Sequence, residues 1–335
     1  MIPAAFEYYR ASSVDEALAL MQQHGEDAKV LAGGHSLVPA MKLRLATPEK
    51  VIDIGGIGGL KGIQDRGDHL AIGALTTHWQ LESSDVVQQK APALSQAAGA
   101  IGDVQVRNRG TIGGALAHAD PSADYPGAVL ALNATLVIRG SGGERAVAVA
   151  DFFTGLWETA VQDGELLTEI RIPTDAANAN SCYLKFPQPA SRYPYVGCAV
   201  AMTTSGGACS DVRVGFSGVG ESAFRDSGVE NAMRGQAVNE ASAKSAGDQA
   251  ANGRSVLSDW SVSEEAGAFR CVVRFPRRSV RRWIRFYCWI TWVQRTGCPA
   301  KRLVLRTTRT GVSRPSPTCF PERWNTKTRR ATTVS

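Results

Sequence analysis

Apolar and polar positions change period several times along the chain. Phe6-Glu7-Tyr8-Tyr9-Arg10 is rich in aromatic side chains and reads as a strand. Ser13-Val14-Asp15-Glu16 reads as a capping box, with Val14, Ala17, Leu18 and Met21 at helical spacing until Gly25 stops the run. Lys29-Val30-Leu31-Ala32 and Val51-Ile52-Asp53-Ile54 are short strands on either side of a turn containing Pro39 and Pro48. The opening is therefore β-α-β, with Gly33-Gly34 just after its second strand. From about 56 to 176, strands at 69–74, 135–139 and 166–172 alternate with helices at 79–83 and 91–98, around a glycine-rich centre at 101–125. Residues 173–181 are small and polar and read as a linker. Beyond it, 182–186, 196–204 and 208–218 are three consecutive strands, followed by helices near 229–234 and 240–251. Strands followed by helices predict a small α+β unit.

The 335 residues are 44% apolar and 20% charged, which excludes a disordered chain and suits two or three packed domains. The net charge of +6 is an average over two unlike pieces. Residues 260–335 hold 17 Lys+Arg against 3 Asp+Glu, a net of +14, leaving 20 against 28, a net of −8, in the body. All five His precede position 119, whereas five of seven Trp and four of seven Cys lie from Trp260 onward. The N-terminus has no basic segment followed by an apolar run, so it does not read as a secretory signal. The most apolar stretch, 283–293, contains Arg285 and falls short of the roughly 20 residues that span a bilayer. Cys182, Cys198 and Cys209 have no metal-ligand spacing and read as small buried apolar residues of a reduced, cytoplasmic protein.

Two glycine pairs carry the candidate chemistry. Ala32-Gly33-Gly34-His35-Ser36 and Thr111-Ile112-Gly113-Gly114-Ala115 each follow an extended stretch and precede a potential helix. Backbone N–H groups exposed there, with the Ser36 and Thr111 hydroxyls beside them, suit a phosphate. Neither segment is a GxGxxG or a GxxxxGK[ST], so neither dinucleotide-fold nor P-loop geometry is supported. Each pair alone reads as a tight turn; the two together, each with a hydroxyl beside it, read equally as one diphosphate held from both sides. His35 reads as a loop donor. His78 and His118 read as structural or solvated, and His118 with Asp120 as a turn, not an acid–base dyad.

The series Ala32-Gly33-Gly34-His35-Ser36-Leu37, Gln105-Val106-Arg107-Asn108-Arg109-Gly110-Thr111-Ile112-Gly113-Gly114, Asp120-Pro121-Ser122-Ala123-Asp124, Asp151-Phe152-Phe153-Thr154-Gly155 and Tyr183-Leu184-Lys185-Phe186 resembles the FAD-binding medium subunit of the molybdenum hydroxylases, the family of aerobic carbon monoxide dehydrogenase and xanthine dehydrogenase. The resemblance covers roughly residues 1–260. It implies an α+β protein: a two-lobed FAD-binding fold over 1–176 (lobes about 1–55 and 56–176), then a small α+β flavoprotein C-terminal domain over 177–260. It also implies site residues. Ala32, Gly33, Gly34, His35 and Ser36, with Thr111, Ile112, Gly113, Gly114 and Ala115, would wrap the FAD diphosphate through N–H groups. Asp124 would accept from the cofactor's hydroxyls, Ile101 and Leu167 would line it, Lys185 would place a cation near it, and Tyr193 would lie against the flavin ring. Taken singly, Asp124 reads as a cap, Lys185 as a solvated charge and Tyr193 as a core aromatic. Ala115 departs from the Asn common in the family, which removes a side-chain amide and keeps the backbone N–H.

The function so implied is electron transfer. FAD on this chain would receive electrons from [2Fe-2S] clusters on a small subunit and pass them to a quinone or NAD. Molybdopterin would sit on a large subunit, with the whole a dimer of heterotrimers. A stand-alone NAD(P)H-dependent flavin reductase is the alternative enzyme. The basic segment 261–335 has no clear period, and the resemblance stops before it. It reads as a disordered or out-of-frame segment that leaves the C-terminal domain incomplete, without its closing helix, or else as a partner-binding extension or a nucleic-acid-binding tail; no nucleic acid partner and no transmembrane segment are expected.

Overall fold

The aromatic strand at the start forms as the pattern requires. In this computed structural model, which describes residues 2–250 and the strand backbones at 259–265, 268–274 and 288–291, β1 (Glu7–Arg10) is followed by α1 (Val14–His24), β2 (Ala28–Leu31), α2 (Leu37–Lys42) and β3 (Lys50–Asp53). β3 lies between β1 and β2 and is parallel to both, the β-α-β arrangement expected. Ser13 caps α1 by accepting from the Glu16 N–H, while the Glu16 carboxylate reaches back to Ser12 instead of Ser13, so the capping box is offset by one residue. Ala17 and Leu18 turn inward and pack with Ile52 and Ile54. The stretch read as a turn around Pro39 is helical. Pro39 stands in the first turn of α2, where a missing N–H leaves no helical bond unmade.

The second lobe contains β4 (Ile63–Asp65), β5 (His69–Gly73), α3 (His78–Glu82), α4 (Asp85–Lys90), α5 (Pro92–Ala100), α6 (Val104–Arg107), α7 (Ile112–His118), α8 (Asp124–Ala131), β6 (Thr135–Gly140), β7 (Gly143–Ala148), β8 (Phe153–Gly155), β9 (Glu158–Thr159) and β10 (Leu166–Pro173). Its antiparallel sheet runs β4-β5-β10-β6-β7. Leu70 and Ile72, Leu136 and Ile138, and Ile170 and Ile172 alternate inward and share a core with Leu94, Leu116 and Val129 from the helices. Every residue of α8 is buried, because the helix lies between this core and the next domain. Leu166 joins the core of the first lobe, and Arg139 donates to Asp15 at 2.7 Å across the two lobes.

The segment read as a linker folds into α9 (Ala176–Ala179), capped by Asp175. Asn178 is fully buried there; its amide donates to Leu132 and Pro173 carbonyls and its oxygen accepts from Arg213. The second domain continues as β11 (Ser181–Pro187), β12 (Pro194–Ser205), β13 (Ala208–Ser217), β14 (Phe224–Arg225), α10 (Ser227–Met233) and α11 (Glu240–Gly247), with the four strands antiparallel in chain order. Cys182, Cys198 and Cys209 are buried in its core. Helix α8 lies directly on β13: a Cβ on Gly215 would stand 2.1 Å from the Gly127 carbonyl oxygen, and the Gly127 N–H donates to Ser217 Oγ at 2.9 Å. The backbones of β15 (Asp259–Glu265), β16 (Ala268–Arg274) and β17 (Cys288–Thr291) pair antiparallel although their composition gave no strand period. The remaining readings of 261–335 lie outside the described residues. No helix among the described residues is long and apolar enough to cross a membrane.

Candidate functional site

The first glycine pair leaves β2 and turns into α2. Gly34 adopts the left-handed φ of +78° that a side chain resists, which sets the sharpness of this turn. A Cβ on Gly33 would meet the Arg109 carbonyl oxygen at 2.3 Å and Gly110 Cα at 2.8 Å, so the segment lies directly on the one that leads into the second pair. Gly33, Gly34 and Ser36 are half-buried and His35 is exposed. Among the described residues no acceptor engages the N–H groups of Gly33, Gly34, His35 or Ser36, and the Ser36 hydroxyl does not cap α2. Several N–H groups and a hydroxyl on a sharp turn form a donor set suited to a phosphate.

The second pair is arranged differently. Thr111 caps α7 by accepting from the Gly114 N–H, the Ile112 N–H donates to the Thr76 carbonyl, the Gly113 N–H to the Ala74 carbonyl, and the Ala115 N–H to the Thr111 carbonyl. The N–H groups of 112–115, expected to wrap a diphosphate, are therefore bonded inside the chain, because α7 docks its first turn on the segment after β5. Gly113 permits that approach, since a Cβ there would stand 2.5 Å from Ala74 Cβ. The Ala74 N–H donates to Thr168 in β10, so buried Leu167 is close to this joint. A Cβ on Gly114 would lie 3.7 Å from Ala32 Cβ, which brings the two loops side by side.

Asp124 begins α8 and is buried. Lys185 Nζ lies 3.0 Å from Oδ1 and 3.1 Å from Oδ2, and the Tyr183 hydroxyl donates to Oδ1 at 2.8 Å. Burial pushes the Asp124 carboxyl up from its ordinary range and the Lys185 ammonium down from its own, while their mutual attraction opposes both shifts. Lys185 also donates to the Ala100 carbonyl at 2.6 Å, next to Ile101, whose own carbonyl accepts from Arg107 Nη1 at 3.1 Å. Tyr183 reaches Asp124 across Gly197, where a Cβ would stand 2.5 Å from its hydroxyl. Tyr193 sits, partly exposed, at the turn between β11 and β12; the part of it that is shielded from water raises its pKa, with Asp120 and Asp124 adding to the effect.

Thus the structure joins the two glycine loops, and separately joins Asp124, Lys185 and the neighbour of Ile101. Tyr183 joins this cluster through Asp124, although the sequence had not pointed to it. Its position two before Lys185 on one strand puts both on one face, and that spacing was the signal available. His78, read as structural or solvated, is buried: its Nδ1 lies 2.9 Å from the Tyr125 hydroxyl, and burial lowers its pKa to about 3. His118 ends α7 with its ring edge against Trp157. Ala119 then turns left-handed, and Asp120 accepts from the Ser122 N–H, consistent with a turn.

Residues 4–175 match the family described as the FAD binding domain in molybdopterin dehydrogenase, and residues 181–266 the CO dehydrogenase flavoprotein C-terminal domain. The carbon monoxide dehydrogenase medium chain of Hydrogenophaga pseudoflava is 43% identical over 75% of this chain and 87% of its own length. The glyceraldehyde dehydrogenase medium chain of Sulfolobus acidocaldarius is 37% identical over 72% and 85%. Among solved structures, carbon monoxide dehydrogenase from H. pseudoflava superposes with a TM-score of 0.71 at 44% identity, covering 74% of this chain and 87% of that one. Quinoline 2-oxidoreductase from Pseudomonas putida 86 gives 0.71 at 30%, covering 75% and 87%. The open donor loop, the buried Asp124–Lys185 pair and these likenesses agree, and the chain belongs to the family of FAD-binding medium subunits of molybdenum hydroxylases, carbon monoxide dehydrogenase among them.

Proposed function

We propose that this chain holds one FAD and carries electrons from [2Fe-2S] clusters on a small subunit to an external acceptor, a quinone or NAD. Substrate oxidation takes place at molybdopterin on a large subunit, in a dimer of heterotrimers in the cytoplasm. The observation that carries the reading is the set of N–H groups at 33–36, without acceptors among the described residues, on the loop packed against the second glycine segment. In this reading Ala32, Gly33, Gly34, His35 and Ser36 bind the diphosphate, with Thr111, Ile112, Gly113, Gly114 and Ala115 as the wall behind it. Asp124, held by Lys185 and Tyr183, presents a fixed acceptor to the cofactor's hydroxyls. Ile101, Leu167 and Tyr193 shield the ring from water. The flavin, when bound, supplies the capacity to accept and release electrons, and the chain sets its position and electrostatic surroundings. Relatives named for carbon monoxide, glyceraldehyde, nicotine and caffeine share this type of chain, which fits a substrate chosen on another subunit.

The test is to purify the full chain, add FAD, remove the excess and record the visible spectrum. About one flavin per chain is expected, with much less retained by Lys185→Met. A full chain that folds and retains no flavin overturns the reading.

A further inference from the structure

We propose that His78 is a positioning residue for the flavin site, its ring tying the start of the second glycine segment to the helix that carries Asp124. This rests on the FAD-binding reading above. Three observations meet at this side chain. The His78 N–H donates to the Gly110 carbonyl at 3.0 Å, and the neighbouring Thr77 and Thr111 form an isolated bridge, so the backbone of α3 is in register with the loop. The imidazole lies where a side chain on Gly110 would project, with Nε2 2.4 Å from that Cβ position. On the other edge of the ring, Nδ1 meets the hydroxyl of Tyr125, which is itself fully buried and directly follows Asp124. Arg107, which holds Ile101, and His35 of the first loop lie within electrostatic reach of the same ring.

Asp124 is fixed from one side by Lys185 and Tyr183 of the second domain. The His78–Tyr125 bond fixes the start of the same helix from the glycine loops. Without it, the loops and Asp124 have separate anchors, and the distance between the two ends of the proposed cofactor site is no longer set by a direct bond. Phe at 78 keeps the ring's bulk and loses the bond. Asn keeps a polar group where Nδ1 stands.

Full-length wild type, His78→Phe, His78→Asn and Tyr125→Phe are titrated with FAD well below their melting temperatures, with flavin absorbance and visible circular dichroism as readouts. His78→Phe and Tyr125→Phe should each weaken FAD about tenfold and alter the flavin dichroism, the double variant should bind no worse than either, and His78→Asn should stay within about threefold of wild type. Should His78→Phe not fold, Tyr125→Phe decides alone. Lower melting temperatures with FAD affinity and dichroism unchanged would make His78 a packing residue and overturn the inference. Wild type that retains no flavin, read before any variant, overturns the function reading and this inference with it.

Discussion

Gly33-Gly34 and Gly113-Gly114 follow the same pattern, an extended stretch, two glycines, a neighbouring hydroxyl and a helix, yet they end in opposite states. The N–H groups at 33–36 find no acceptor among the described residues, whereas those at 112–115 are bonded to Thr76, Ala74 and Thr111. What lies opposite decides the outcome: the turn after β5 presents carbonyls to the first N–H groups of α7, whereas the Arg109–Gly110 backbone that approaches Gly33 accepts from none of the N–H groups of its loop. A glycine pair is thus a licence for close approach, and the approaching group can be a ligand or the protein's own backbone. Substitutions in the first loop should therefore change cofactor affinity, and those in the second should change stability.

Gly33→Ala tests both at once and should have the largest effect. Its Cβ would collide with backbone at Arg109 and Gly110, so the loops must part. Overpacking of this kind costs about 3 kcal/mol, and FAD uptake should fall more than tenfold. A variant with the melting temperature and flavin content of wild type would break the comparison.

Acid should act next, through the residue that supports the second loop. Burial lowers His78 from the ordinary 6.5 to about 3, so between those values the unfolded chain binds a proton that the folded chain refuses. Stability is intact above 6.5 and falls as pH drops below it, by about 2 kcal/mol at pH 5. The melting-temperature difference between pH 7 and pH 5 should shrink in His78→Asn; equal differences would show that the ring is not held neutral.

Thr111→Ala removes the cap of α7 and should cost about 1 kcal/mol in a denaturant melt while FAD affinity stays within about twofold. Ser36→Ala is the mildest and the sharpest contrast. Its hydroxyl caps nothing, so the melt should not move, while FAD affinity should drop about fivefold. The reverse pattern, a shifted melt with unchanged affinity, would assign the open loop a structural role.

The strands were legible because their side chains alternate or run apolar, as in Leu70 and Ile72 or Ile170 and Ile172. The parallel β-α-β opening followed from the apolar spacing of α1 between two short strands. The stretch at 173–181 spans the junction of the two matched domains, as a linker would, but its small polar residues gave no sign of a helix. It becomes α9 through the Asp175 cap and a buried Asn178 whose partner, Arg213, is 35 residues away. Pro39 misled in the opposite sense, since proline marks a turn in sequence and is harmless in a first helical turn. The occupied N–H groups of the second loop depend on Ala74 and Thr76, and the partner of His78 is 47 residues distant. Such pairings arise from docking between elements, which local pattern does not encode.

The contact between α8 and β13 bears on where this molecule could be divided. Two glycines let a helix of the first domain rest on a strand of the second with no side chain between them, and Ser217 accepts from the helix backbone. The boundary between the two matched families, near residue 175, is therefore not a seam for cutting. A fragment ending there would keep every glycine of both loops and expose a helix with no polar face, its Asp124 stripped of Lys185 and Tyr183. The candidate site is thus shared property of the two domains, the first carrying Asp124 and the second the Lys185 and Tyr183 that hold it.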